Sequence, residues 1–425
     1  MNILPLLLAS LETPGGLWSI LINWFHSGIG NFGWTVLLVT LFVKLICSPL
    51  DFLVKFNTKK QTLVQQKCSP QVSKIQKKFG NDQQKARIQI NALYKKEGLN
   101  MGRGCLITIV NMIISLTLFF TFYSSLRTNS AYQAITQYET LATVYIDKTH
   151  EILVAKNNDI TEYDIVDAES ADLFIADYNK ATEIYNKVQE GKQDEIDLSQ
   201  DTHDLNYYLN LYDKYKVLVS TDILNETSTA VVNKWNEIKS SWLWVTNIWV
   251  ADATIYPFQT YSNLIELAQS GGYAEYVTQN INEVEYTTIS NIVNLQGGKS
   301  KNGYFILAIL AAVITFLSQF MMERSNKLKS KNANTIANQS MEQSMQISMK
   351  IMKFIMPVIM ISFVLRSSAS FGIYILASNV AAIGFGEICN LIINKLTKQK
   401  QQEVEEVLEK EAQRLIKKGK LQEKK

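Results

Sequence analysis

Five apolar blocks constrain this chain more than any other feature of it. Gly33 to Leu50, Cys105 to Leu126, Tyr304 to Met322, Ile351 to Leu365 and Phe371 to Ile393 stand out as predominantly hydrophobic blocks. Each approaches the length that crosses a bilayer, about 17–25 residues, with the fourth the shortest. The stretches between them are too polar for hydrocarbon, so the 47% hydrophobic content of the 425 residues is not spread as a soluble core would spread it. Runs of this length satisfy their own backbone in lipid only as helices, which predicts an α-helical polytopic membrane protein.

Charge orients the spans. Residues 51 to 103 hold 12 Lys/Arg against 3 Asp/Glu, residues 323 to 353 hold 6 against 2, and the tail from Lys395 holds 10 against 6. Residues 128 to 302 hold 11 against 26, an asymmetry hidden by the net charge of +3. Basic segments next to spans stay on the cytoplasmic side. An odd number of spans then puts the acidic segment and the N-terminus outside and the C-terminus inside. Cys47, Cys68, Cys105 and Cys389 all fall in or near cytoplasmic-side positions, and residues 128 to 302 contain no cysteine, so neither a disulfide framework nor a CxxC site is indicated.

The expected organisation is an external amphipathic segment at 1–31, spans at 32–50, 104–126, 303–322, 351–367 and 370–393, a cytoplasmic helical hairpin at 51–103, and an external acidic domain at 127–302. A cytoplasmic loop at 323–350 and a basic cytoplasmic tail at 394–425 complete it. MNILPLLLASLETPGG lacks a basic n-region and an A-x-A pattern, and is expected to be retained. In the hairpin, Val72, Ile75 and Phe79, then Ala86, Ile90 and Leu93, recur at helical spacing. Pro70 and Gly80-Asn81-Asp82 are its expected breaks, and Gly98 its cap. In the external domain LATVYI and EILVA read as strands and ADYNKATEIYNKVQE as helix, which predicts an inserted α+β domain. Trp242, Trp244 and Trp249 suit either a return to the membrane surface or a domain core. Val404, Val407, Leu408, Glu411 and Leu415 predict a helical tail.

Nothing in the chain points to an enzyme. His26, His150 and His203 share no ligand spacing, and there is no P-loop or GxSxG elbow, so no metal, nucleotide or other cofactor is expected. What remains is polarity inside the spans. The first 43 residues contain no Lys or Arg, and the first cation, Lys44, arrives inside TLFVKLICSPL. A charge near the centre of a span costs about 2.5–3.5 kcal/mol, which makes it a functional-site candidate. The competing reading is a lysine stem snorkelling to the interface, six residues or about 9 Å from Leu50. Thr108, Asn111 and Ser115 in the second span, Thr315 and Gln319 in the third, and Asn379 in the fifth either bind helices together or line a wetted cavity with Lys44.

Taken together, these stretches resemble the YidC/Oxa family of membrane protein insertases. GNFGWTVLLVTLFVKLICSPL is similar to that family's first core span, with Lys44 at its basic position. SPQVSKIQKKFGNDQQKARIQINALYKKEGLNMGRGCL resembles its cytoplasmic hairpin, and LWVTNIWVAD with LAILAAVITFLSQF its approach to the third span. MKIMKFIMPVIMISFVLRSSASFGIYILASNV resembles its Met-rich fourth span and the hairpin into the fifth. The chain departs from the family pattern in having Lys where Arg is usual, Asn100-Met101 where Asn-Pro is usual, and an acidic domain between the second and third spans.

The resemblance implies a five-helix insertase core in a bacterial inner membrane, with a hydrophilic groove open to the cytoplasm and no nucleotide hydrolysis. It also implies Lys44, Thr108, Asn111, Ser115, Thr315, Gln319 and Asn379 as groove residues. The implied partners are nascent membrane proteins, the ribosome through the basic tail, the lipid bilayer and a Sec translocon; DNA binding is not expected. A receptor or adhesin acting through the external domain is the alternative. A secondary transporter ranks third, for want of an inverted repeat.

Overall fold

The computed structural model describes residues 11–79, 82–99, 101–199, 201–296, 302–330 and 354–422. Outside them lie the first ten residues, the expected Gly80-Asn81 turn, Asn100, most of the 323–350 loop with the start of the expected fourth span, and the last three residues. In chain order the helices are α1 (Leu17–Ile29), α2 (Phe32–Lys78), α3 (Gln83–Lys96), α4 (Met101–Ala155), α5 (Ala168–Gln189), α6 (Leu205–Leu218) and α7 (Leu224–Ile238). They continue as α8 (Tyr261–Gly271), α9 (Ala274–Asn280), α10 (Glu283–Gln296), α11 (Ile306–Ser330), α12 (Phe354–Arg366), α13 (Ala369–Leu396) and α14 (Lys398–Gln422). The chain divides into two units.

The first unit comprises Gly16–Leu126, Ala251–Ala253 and Gly303–Lys425. Its helix ends follow from local chemistry. Gly30, at φ 72, closes α1 in the left-handed region, and the Asn31 side chain then accepts the Trp34 N–H at 3.2 Å to start α2. Helix α2 runs 47 residues, past the expected span end at residue 50 and through Pro70, which does not break it. Pro49 cannot supply the N–H that the Leu45 carbonyl would receive; Ser48 Oγ donates to that carbonyl at 2.8 Å instead. At the far end of α3, Gly98 takes φ 76, with Gly98 N–H on the Lys95 carbonyl at 3.0 Å and Leu99 N–H on that of Tyr94 at 2.9 Å, a Schellman cap. Between α2 and α3 a small core forms around Cys68, Val72, Tyr94 and Leu99.

Among the described residues, three helices are long and apolar enough to cross a membrane, within Phe32–Lys78, Leu106–Ala155 and Ala369–Leu396; Ile306–Met321 and Phe354–Arg366 are apolar but shorter. Leu45, Ile46, Met112, Ile113, Ile309 and Val358 stand exposed on them, a pattern that water disfavours and lipid satisfies. The chain is a multi-pass α-helical membrane protein.

Inside this unit α13 packs on α2 and α11, and α1 on α2. Phe119, Phe122 and Tyr123 of α4 interlock with Phe371 and Tyr374 of α13, and Trp18 of α1 meets Phe122 edge-on at 5.0 Å between centroids. Gly372 lets α13 approach closely, since a Cβ there would lie 3.2 Å from Val364 Cγ1 of α12. Thr397 separates α13 from the tail helix α14. That helix lies against α2 with Val404 buried and Lys74 paired to Glu411 at 2.7 Å.

The second unit comprises Met1–Gly15, Arg127–Val250 and Thr254–Asn302. It corrects the α+β expectation: LATVYI and EILVA both lie within α4, and no strand forms among the described residues beyond one Trp242–Val245 bridge. The β-branched residues of those stretches are outweighed by the burial pattern around them. Ala134, Ile135, Tyr138, Leu141 and Ala142 recur at three- and four-residue spacing, and Ile152 and Leu153 continue inward. Two cores result. One gathers Tyr138, Trp235, Phe258, Tyr286 and Ile289, and the other Ile152, Phe174, Ile184, Tyr208 and Tyr215. Trp242 and Trp249 are buried. Beside them a buried amide relay runs from Asn302 Nδ2 to the Asn247 carbonyl at 2.9 Å, and from Asn247 Nδ2 to Gln137 Oε1 at 3.0 Å.

Candidate functional site

A partly enclosed cavity of about 50 Å³ opens in the membrane unit around Lys44. Helix α2 contributes Thr40, Val43, Lys44, Cys47 and Asp51; α4 contributes Ser115, Leu118, Phe119 and Phe122; Trp18 of α1 and Tyr374 of α13 complete it. Thr40, Lys44, Cys47 and Asp51 follow one another at four-, three- and four-residue steps, so a single face of α2 carries every polar group it presents here. The Thr40 hydroxyl donates to the Val36 carbonyl at 2.6 Å and can only accept from the cavity. Asn111 Nδ2 donates to Asp51 Oδ1 at 3.2 Å, joining α4 to the carboxylate.

The seven residues named from sequence separate into groups. Lys44 and Ser115 line the cavity, and Asn111 reaches it through Asp51. Thr315 and Asn379 pair with each other, Asn379 Nδ2 donating to Thr315 Oγ1 at 3.1 Å while that hydroxyl donates to the Ala311 carbonyl at 2.7 Å, so they tie α13 to α11. Neither lines the cavity, nor do the exposed Thr108 and half-buried Gln319. Sequence reasoning missed Asp51, because it stands one residue past the apolar block and read as the first residue of the hairpin. Its seven-residue offset from Lys44, two turns along the same face, was the available signal. Chemically the cavity offers binding: one ammonium, one carboxylate and hydroxyls, walled by aromatic rings.

Residues 24–161 match the family model described as 60Kd inner membrane protein. The membrane protein insertase YidC of Wolinella succinogenes is 30% identical over 112 residues, covering 26% of this chain and 20% of that protein. Its counterpart in Buchnera aphidicola is 33% identical over 111 residues, 26% of this chain and 20% of the relative, and that in Pseudomonas fluorescens 32% over 123 residues, 28% and 21%. The chain thus spans about a fifth of the length of the curated relatives it matches. No solved structure matches it. The matched region carries Lys44, Asp51, Asn111 and Ser115, the polar side of the cavity, and it is over this region that the chain is similar to the 60Kd inner membrane protein family and to the YidC insertases.

Proposed function

We propose that this chain is a membrane protein insertase and chaperone of a bacterial inner membrane, with its N-terminus outside and its C-terminus in the cytoplasm. The observation that carries the reading is Lys44, a cation set in a cavity between spans beside Thr40 and Ser115. Where water is scarce, an ammonium attracts a passing carboxylate more strongly than it would in bulk solvent. A client segment with an acidic residue gains at Lys44 part of what it loses on leaving water, so the step needs no nucleotide hydrolysis.

The remaining parts of the proposal follow from charge and placement. The cytoplasmic end of α2 with α3 receives the nascent chain, and the cationic tail meets ribosomal RNA phosphates. A Sec translocon is a partner for clients with long external segments. Asn111 and Ser115 act with Lys44 as groove residues, Thr108 and Gln319 flank the client path, and Thr315 with Asn379 holds α11 to α13.

The test is insertion in vivo of a short single-span client with an acidic external tail. Lys44→Ala lowers insertion about tenfold, the factor that 1.4 kcal/mol of lost attraction represents, while Lys44→Arg preserves it. Equal insertion by all three chains sinks the groove cation. The receptor reading draws support from the two cores of the second unit. Photo-crosslinkers separate the two: capture of ribosome-bound nascent chains from α2 and α4 favours insertion, and capture only of external ligands from residues 128 to 302 favours a receptor.

A further inference from the structure

The cavity holds charge of both signs, whereas the proposed insertion step uses only the cation. Lys44 and Asp51 lie on one face of α2, separated by two turns or about 10 Å along the axis. Asp51 is engaged by Asn111 of α4 at 3.2 Å, which holds the carboxylate on the cavity side of α2. Cys47 sits between the two charges on the same wall.

A lone cation would reward any acidic client. A fixed cation and anion about 10 Å apart, partly shielded from water, reward a client that presents the complementary pair and penalise one that brings only negative charge. An extended chain covers that distance in about three residues. Resting on the insertase reading, we infer that Asp51 is a specificity-determining residue. It directs the cavity toward client segments in which an acidic residue, placed at Lys44, is accompanied about three residues away by a basic one, placed at Asp51.

The experiment uses the full chain in cells depleted of other insertase, with three single-span clients differing only in the external tail. One tail carries an acidic residue, one a basic residue, and one both, three residues apart. Insertion is normalised to the amount of chain in the membrane. The unaltered chain inserts the paired tail about threefold better than the acidic tail, a modest difference against the tenfold that 1.4 kcal/mol gives. Asp51→Asn keeps the shape and an acceptor for Asn111; it raises the acidic tail and lowers the paired one, and Asp51→Glu restores the original order. An equal effect of Asp51→Asn on all three tails, or no preference for the paired tail in the unaltered chain, overturns the proposal. Insertion of none of the three tails above background by the unaltered chain overturns the insertase reading, and this inference with it.

Discussion

Asp252 organises the start of α11 from a distance in sequence. Its Oδ2 accepts the N–H groups of Leu307 and Ala308 at 3.0 and 3.4 Å, and its Oδ1 lies so close to Gly303 that a Cβ there would overlap it. Asp252→Ala leaves two helix N-terminal donors unserved and costs about 0.5–2 kcal/mol, measured as a lower midpoint of thermal unfolding in detergent. Gly303→Ala forces the carboxylate aside and costs about 1–3 kcal/mol by the same measure. A second carboxylate gives a pH dependence. Burial pushes Glu285 above the usual glutamate range, against the opposing hydrogen bond from Tyr138. Because its folded value is raised, the folded state loses stability as pH rises through the interval between the unfolded and folded values. Glu285→Gln is therefore expected to stabilise the chain at neutral pH and to lose its advantage below about pH 4, under the ordinary glutamate value; an advantage that persists in acid contradicts this. None of these three positions announces itself in sequence, since each matters through a neighbour brought in by the fold. Lys44 was legible because a charge in an apolar run is costly wherever it points.

At the scale of elements, the apolar blocks and the Gly98 cap of α3 were legible, and the ends of α2 were not. Helix α2 continues for 28 residues beyond Leu50 because the polar residues that follow are still good helix formers, and because Pro49 and Pro70 are accommodated within it. The misread strands of α4 show the same cause from the other side. Short windows rich in Val, Ile and Thr suggest pleating, but a three- and four-residue burial rhythm over the whole helix decides the outcome. The tail helix was foreseen, and its resting place was not. With Val404 buried, Val404→Asp is expected to free α14 from α2. The readouts are loss of carbodiimide crosslinking between Lys74 and Glu411, and faster protease cleavage after residue 397. Unchanged crosslinking would mean that the ion pair and not the apolar contact holds the helix.

At the scale of the whole molecule, charge counting carried no information about the helical content of the second unit. Trp235, fully buried in one of that unit's cores, is expected to cost about 3–5 kcal/mol when replaced by Ala, seen as earlier urea unfolding of the second unit. Orientation is checked by an impermeant thiol reagent on chains whose native cysteines are replaced. Glu190→Cys, exposed after α5, is labelled in intact cells, and Gln84→Cys, exposed on α3, only after permeabilisation. Reversed labelling refutes the orientation. On that orientation, the segment between α4 and α11 carries a cost for the cell that makes it. Far more polar chain has to be exported there than the short tails assigned to the Lys44 cavity, and both cores can assemble only after it has crossed. With the N-terminus outside, as proposed, biogenesis of this protein would call for a protein-conducting channel, and the proposed helper of other membrane proteins would be a dependent of the export machinery itself.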